Sequence, residues 1–216
     1  IVKKHFFILV IIILLVMPNI VGCVKVVKIG EESKVTGNTS ASSNNSIESE
    51  WDSKIIPELS NKAVDLKTLL SEANGDLKSV ANKYGKQAAA TSGDICYTVK
   101  GVAKVDKINT DLKVGYMEVS LDGYSGPIKI KIQVGPVYKG TAVRDSLDFI
   151  KYDDYENQIE WAAVSQSIHE TIQKKVIGSL DLSALSGKTI EFLGCFSVSG
   201  SNQSEILITP VKLSVK

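Results

Sequence analysis

The chain has 216 residues, with 25 Lys and Arg against 24 Asp and Glu and a formal net charge of +1. That length suits one domain or two small ones packed together, and the balanced charge argues against nucleic acid as a partner and against steering of a charged substrate. With only two histidines, His5 and His169, a histidine-rich zinc centre cannot be built and a hydrolytic triad would rest on His169, so no catalytic residue, metal or cofactor is expected.

Residues 1–22 have the layout of a signal peptide. Lys3, Lys4 and His5 precede an unbroken apolar run over residues 6–17. A membrane-spanning helix takes roughly 20 apolar residues, so this run is short for one. Pro18 and Asn19 end it, and Ile20-Val21-Gly22-Cys23 follows. These four residues resemble the lipobox of bacterial lipoproteins, in which the cysteine thiol receives a diacylglycerol and becomes the new N-terminus after cleavage. The resemblance implies lipid attachment at Cys23, an acyl anchor of the palmitate type in the membrane, and a domain outside the cytoplasm, on the outer face of the cytoplasmic membrane or in the periplasm. Two or three chains hold far better than one. The alternative is an uncleaved N-terminal helix with a chance cysteine.

Residues 25–30 read as a first strand or a membrane-proximal leader. Residues 36–46 carry no large apolar side chain, so nothing there offsets the entropy of ordering, and the stretch reads as a flexible tether. The anchor and tether thus take residues 23–50 and the folded domain residues 51–216.

Within the domain, Ile55, Leu59, Ala63, Leu66, Leu70 and Ala73 recur every three or four residues, the stripe of one amphipathic helix. Asn74-Gly75 ends it, Asp76 caps a second helix carrying Leu77, Val80, Ala81 and Tyr84, and Gly85 stops that one. The pattern then switches to period two. Tyr97 to Val105, Met117 to Leu121 and Ile128 to Val134 alternate apolar with polar residues, three half-buried strands with Asp122-Gly123 and Gly126-Pro127 as turns. Gly135-Pro136 interrupts the sheet. Thr141 is placed to cap a short helix with Val143, Leu147 and Ile150. A longer helix opens at Asn157 with Trp161, Val164, Ile168, Ile172 and Val176 as its stripe, and Gly178 ends it. Residues 189–198 and 205–215 are strand-like, and Pro210 marks a bulge or an edge in the last.

The halves 51–135 and 136–216 rhyme. Each has helices and then a strand with a central glycine, Val99-Lys100-Gly101 against Phe192-Leu193-Gly194. The fold expected is therefore α+β, with duplicated antiparallel β-barrel units of OB-like character, each preceded by helices.

Residues 135–145 (Gly-Pro-Val-Tyr-Lys-Gly-Thr-Ala-Val-Arg-Asp), Phe149-Ile150, Asn157-Gln158-Ile159-Glu160, Tyr97-Thr98-Val99-Lys100-Gly101 and residues 206–211 together resemble a family of predicted bacterial lipoproteins of unknown function, DUF family 2291. The lipobox and Trp51 fit it as well. The resemblance implies an accessory role beside ribose-type sugar ABC importers, and it carries over no catalytic or binding residue.

The most distinctive local feature is the stretch from Gly135 to Asp145. Its glycines and proline let backbone approach a ligand closely, and Arg144 offers a planar fork of donors beside Asp145. Tyr138 or Trp161 would stack on a sugar face, with Asn157, Gln158 and Glu160 adding polar contacts. The plainer account is a strand-to-helix corner in which Arg144 bridges a carboxylate and Asn157 is a helix cap. Asp153, Asp154 and Glu156 lack the spacing of a calcium loop. Cys96 and Cys195 would pair as a disulfide in an oxidising compartment, or else serve as two small buried hydrophobes. Three functions compete. One is a non-enzymatic accessory lipoprotein that binds a small carbohydrate or a component of a sugar ABC importer. Another is a carbohydrate-acting enzyme using Arg144 with an Asp/Glu pair. The last is a structural envelope protein that holds a protein partner.

Overall fold

The computed structural model describes residues 46–88, 93–200 and 203–216. All of them belong to one unit of the chain, Asn38–Lys216. The expected signal peptide, Cys23 and nearly all of the expected tether lie outside the described residues.

Residues 46–50 are already helical and Ile47 is buried, so the fold starts a little before Trp51. The helix runs through a π-turn at Trp51–Ile55 into α1, Ile56–Lys62. The stripe expected to be one helix is broken here. Ala63 turns extended, with ψ 123°. Val64–Asp65 forms a short strand, β1, parallel to Val99 and Lys100. A new helix, α2, covers Leu66–Ala73, and Asp65 caps it by accepting from the Thr68 N–H at 2.9 Å. The stripe still does its work, because Ile55, Leu59, Leu66 and Leu70 are all buried in the same core. Asn74 ends α2 in the left-handed region at φ 46°. Asp76 caps a 3-10 turn at Leu77–Val80, followed by α3, Ala81–Tyr84, and β2, Gly85–Gln87.

Five strands then close a barrel. They are β3, Ile95–Asn109; β4, Val114–Ser120; β5, Lys129–Pro136; β6, Thr189–Val198; and β7, Glu205–Val215. Neighbours run β3-β4-β5-β7-β6, and β6 returns to β3. All barrel pairs are antiparallel except β5–β7. The long β3 makes closure possible. Its first ten residues pair with β6, while Lys104 to Asn109, across a bulge between Val105 and Lys107, pair with β4. Tyr97, Val99, Ala103 and Val105 are buried, in alternation with exposed Lys100, Val102 and Lys104.

This is the five-stranded OB architecture, with a correction: strands from both expected halves build one barrel, and the described residues close no second one. The rhyme between Val99-Lys100-Gly101 and Phe192-Leu193-Gly194 has a different cause. The two triplets lie opposite each other, Val99 against Gly194 and Gly101 against Phe192. A Cβ on Gly101 would come within 3.1 Å of the Phe192 ring, so that glycine makes room for its partner's side chain, whereas a Cβ on Gly194 would meet Ile208 and Thr209 of β7. Pro210 sits at the expected irregularity, where the β6–β7 register shifts. The β5–β7 pairing stops at Ile208, so on that side no ladder bond is asked of the proline.

Two helices fill the connection from β5 to β6. The first, α4, is Ala142–Ser146 and packs on β3 and β6. The second, α5, is Gln158–Ile172 and continues through a π-turn at Gln173–Ile177 that packs on β5 and β7. Barrel and helices share one hydrophobic cluster. No described helix is long and apolar enough to cross a membrane.

Candidate functional site

The corner between β5 and α4 is held from several sides. Gln133, fully buried, accepts from the Lys139 N–H at 2.7 Å and donates to the Lys139 carbonyl at 3.0 Å. The same amide nitrogen reaches Thr209 Oγ1 on β7 at 2.7 Å. Gly135 has φ 74° and a cis peptide bond to Pro136. A Cβ at Gly135 would collide with Gln173 Oε1 on the turn that extends α5. That oxygen accepts from the Tyr138 hydroxyl at 2.9 Å. The Tyr138 ring is buried and stacks on His169 with centroids 5.3 Å apart.

Between this corner and α5 opens a cleft of about 550 Å3, with Pro136, Val137 and Tyr138 on one wall and Gln166, His169, Glu170, Gln173 and Lys174 on the other. The size is that of a small-molecule site. Val137 is 45% exposed and gives it an apolar rim. Gln166 donates to Glu170 at 3.0 Å, and Lys174 pairs with Glu48 at 2.5 Å. Burial lowers the pKa of His169, partly offset by a hydrogen bond to the Gly140 backbone. Its imidazole is therefore neutral at pH 7. Burial also raises the Tyr138 phenol far above its usual range, which keeps it a hydrogen-bond donor. The cleft thus offers amides, a carboxylate, a neutral imidazole, the ammonium of Lys174 paired with Glu48, and an apolar rim. Among the described residues, no three His, Cys, Asp or Glu side chains cluster to hold a metal.

The residues expected as one site fall in three places. Gly135 and Tyr138 shape the cleft, although the Tyr138 ring is covered by His169 and is not free to stack on a sugar. Arg144 and Asp145 are withdrawn into the fold, 4% and 5% exposed. Arg144 Nη2 lies 2.8 Å from Asp145 Oδ1, Nη1 donates to the Trp161 carbonyl at 3.0 Å, and the guanidinium lies 3.9 Å over the Trp161 ring. Asp145 also accepts from Thr141 Oγ1 at 2.6 Å. Thr141 does this in place of the helix cap expected of it. Asn157, Gln158 and Glu160 stand at the start of α5. Asn157 caps the helix, accepting from the Ile159 and Glu160 N–H groups at 2.9 and 3.0 Å, and Glu160 accepts from the Glu156 N–H. At 1.5 Å per residue the cap lies more than about 10 Å along the helix from the cleft. Cys96 and Cys195 stand as free, buried thiols on β3 and β6, the arrangement of two small buried hydrophobes.

Gln133, Gln166, His169 and Gln173 are not among the ligand-binding residues that the sequence singles out. Gln166, His169, Glu170 and Gln173 are spaced as one polar stripe of a helix, a signal present in the sequence. Gln133 has none, since it falls on the polar alternation of β5 and is buried only because the corner folds over it.

Over residues 10–214 the chain matches a family described as "Predicted periplasmic lipoprotein (DUF2291)". The chain belongs to that family. This makes it a predicted periplasmic lipoprotein of unknown function, with an extracytoplasmic location. Among solved structures it is similar to an OB-fold protein from Thermotoga maritima MSB8, with a TM-score of 0.63 and 13% identity, covering 83% of this chain and 98% of that one. Identity that low speaks to the fold alone. A search of curated proteins found no match.

Proposed function

We propose that this protein is a lipid-anchored accessory module, held outside the cytoplasm by acyl chains on Cys23, that binds a small neutral carbohydrate for a sugar ABC importer. The observation that carries the ligand reading is the cleft between residues 136–138 and α5. Its corner is fixed by Gln133, its rim is apolar, and its polar groups are uncharged amides and a neutral imidazole beside one carboxylate and the Lys174 ammonium, which is paired with Glu48. Sugars are bound by such a mixture, with hydroxyls on the amides and carboxylate and C–H faces on apolar surface. The enzymatic alternative loses its machinery, because Arg144 and Asp145 are consumed by each other and by Trp161.

Titration calorimetry of the full chain against a panel of pentoses and hexoses tests the ligand. Saturable binding of one sugar, lost in Gln173→Ala and kept in Gln158→Ala, is the expected result. Heats absent across the panel, or equal in both variants, would reject the cleft as a sugar site. Membrane fractionation of Cys23→Ser tests the anchor separately, the expected result being loss of the acylated form from the membrane.

A further inference from the structure

Two side chains in the cleft are held so that neither can reverse its hydrogen-bonding sense. The first is Gln173. Its Oε1 accepts from the Tyr138 hydroxyl at 2.9 Å and crowds against Gly135, where a Cβ would collide with it. Burial keeps the Tyr138 phenol protonated, so that hydroxyl stays a donor. An amide whose oxygen is pinned in this way presents its nitrogen elsewhere, as a donor. Among the described residues no group accepts from Gln173 Nε2.

The second is His169, one turn earlier on the same helix face. Its ring stacks on Tyr138 with centroids 5.3 Å apart, which fixes its plane. Its hydrogen bond with the Gly140 backbone raises its pKa. A bond that favours the protonated ring is one in which the ring N–H donates, so the Gly140 carbonyl accepts. Burial outweighs that bond and keeps the imidazole neutral at pH 7. A neutral imidazole has one donor and one acceptor nitrogen. With its N–H committed to Gly140, the other nitrogen is the acceptor, and no described residue donates to it. Residues four apart on a helix face stand about 5–6 Å apart at Cβ, so the Gln173 donor and the His169 acceptor are within reach of one ligand group. Both line the cleft, opposite Pro136 and Val137.

We infer that Gln173 and His169 hold one hydroxyl of the ligand between them, Gln173 Nε2 donating to the hydroxyl oxygen and the imidazole nitrogen accepting the hydroxyl proton. This rests on the sugar-binding reading proposed above and names the group that the cleft recognises. A hydroxyl both accepts and donates at one atom. An ammonium cannot accept from Gln173 and a carboxylate cannot donate to His169, so the pair discriminates against amines and acids. It also ties binding to the charge on His169, because a protonated imidazole has no lone pair to offer. The charged groups around the ring are Arg144, which opposes its protonation; Asp145, in the ion pair with Arg144; Glu170 on the cleft wall; and Lys174, paired with Glu48. Histidine is the side chain whose charge ordinarily changes between about pH 5 and 8. Linkage then requires the bound sugar to lower the pKa of His169 by the same factor as acid weakens the sugar.

The test follows the His169 titration by NMR in the full chain, alone and with D-ribose, D-xylose, D-glucose or D-galactose, beside calorimetry at pH 8 and pH 5. His169→Phe keeps an aromatic ring against Tyr138, and its spectrum tells the His169 signal from that of His5. The sugar that binds at pH 8 is expected to lower the His169 pKa, and its affinity should fall towards acid by the fold-change that this shift predicts. In His169→Phe binding should be weaker and independent of pH. Gln173→Glu keeps an oxygen for the Tyr138 hydroxyl but presents no proton to the ligand at pH 8, and it should lose binding there. A bound sugar that leaves the His169 pKa unchanged, wild-type affinity in His169→Phe, or full affinity in Gln173→Glu would each overturn the pair while leaving the cleft as a sugar site. Absence of binding by all four sugars at pH 8 rejects the sugar reading, and the pair with it. The wild-type titration needs no variant, so a misfolded variant cannot mask the outcome.

Discussion

Arg144 and Asp145 show how one side chain can be read two ways. A guanidinium beside a carboxylate in a glycine-rich corner has the composition of a ligand site, and burial decides against it here. Both charges are taken from water and compensated by each other, by the Trp161 carbonyl and ring, and by Thr141. Removing one partner leaves the other buried and unpaired, which costs about 3–5 kcal/mol. Arg144→Met should therefore destabilise the fold by that amount in urea unfolding. A double change of Arg144→Met with Asp145→Leu should recover much of the loss, because no stranded charge remains. Gly135 makes a second case. Alanine there must adopt φ near 74° and push Gln173 off the Tyr138 hydroxyl. The backbone strain alone is about 1–3 kcal/mol. Gly135→Ala should lower the melting temperature and weaken any ligand bound in the cleft, whereas Gly187→Ala, equally left-handed at φ 78° but with open space around its Cβ, should cost stability without touching the cleft.

Among the elements, the helix ends were the most legible features and the breaks the least. Asn74-Gly75 and Asn157 act where their chemistry predicts, because caps and left-handed residues work within a turn of themselves, and Gly178 ends its helix at the expected place but in the right-handed region, at φ −62°. The break at Ala63 was not legible. The apolar period runs across it unchanged, and the chain leaves the helix there so that β1 can pair with β3, a partner more than thirty residues away. The pieces are then tied from outside. Asp148, just beyond α4, meets Lys62 of α1 at 2.7 Å and Lys86 of β2 at 2.8 Å. These hydrogen bonds, Lys62's first, hold its carboxyl at a pKa of about 2, below the unfolded value of about 3.9. The sign follows: the folded state binds the proton less well, so the contribution is complete above about pH 4 and is lost as pH falls towards 2. With the side chain 65% exposed, solvent screening limits it to under about 1 kcal/mol. Asp148→Asn should lower stability slightly at pH 7 and flatten its decline over that acid window, as read from urea unfolding at a series of pH values.

For the molecule as a whole, closure of the barrel governs the chemistry of the two cysteines. They stand on adjacent strands with α4 packed over them, and burial pushes the Cys96 thiol up to about 12 and the Cys195 thiol up to about 11. A disulfide-forming or metal-binding cysteine needs thiolate, and these have almost none at neutral pH. In Cys23→Ser, neither thiol should react with an aromatic disulfide reagent at pH 8 until denaturant opens the barrel, when both should react together. Fast reaction of one in the native state would contradict the packing of α4 on β3 and β6. The family match and the OB-type barrel agree with what the residues had suggested, while the duplication did not survive: the two rhyming triplets turned out to be hydrogen-bonded partners in one barrel.

The sequence by itself determined the strand and helix segments, most of their ends and the family, because periodicity and capping are properties of short stretches. It also carries Ile20-Val21-Gly22-Cys23, which resembles a lipobox. Only the tertiary structure decided that β3 closes on β6, that Arg144 and Asp145 face inward, and that Gln133 and Gln173 build a cleft with Gly135 and Tyr138. Each of these depends on which distant strand or helix covers a residue, and a polar side chain reads the same in sequence whether it meets solvent or a folded-over corner.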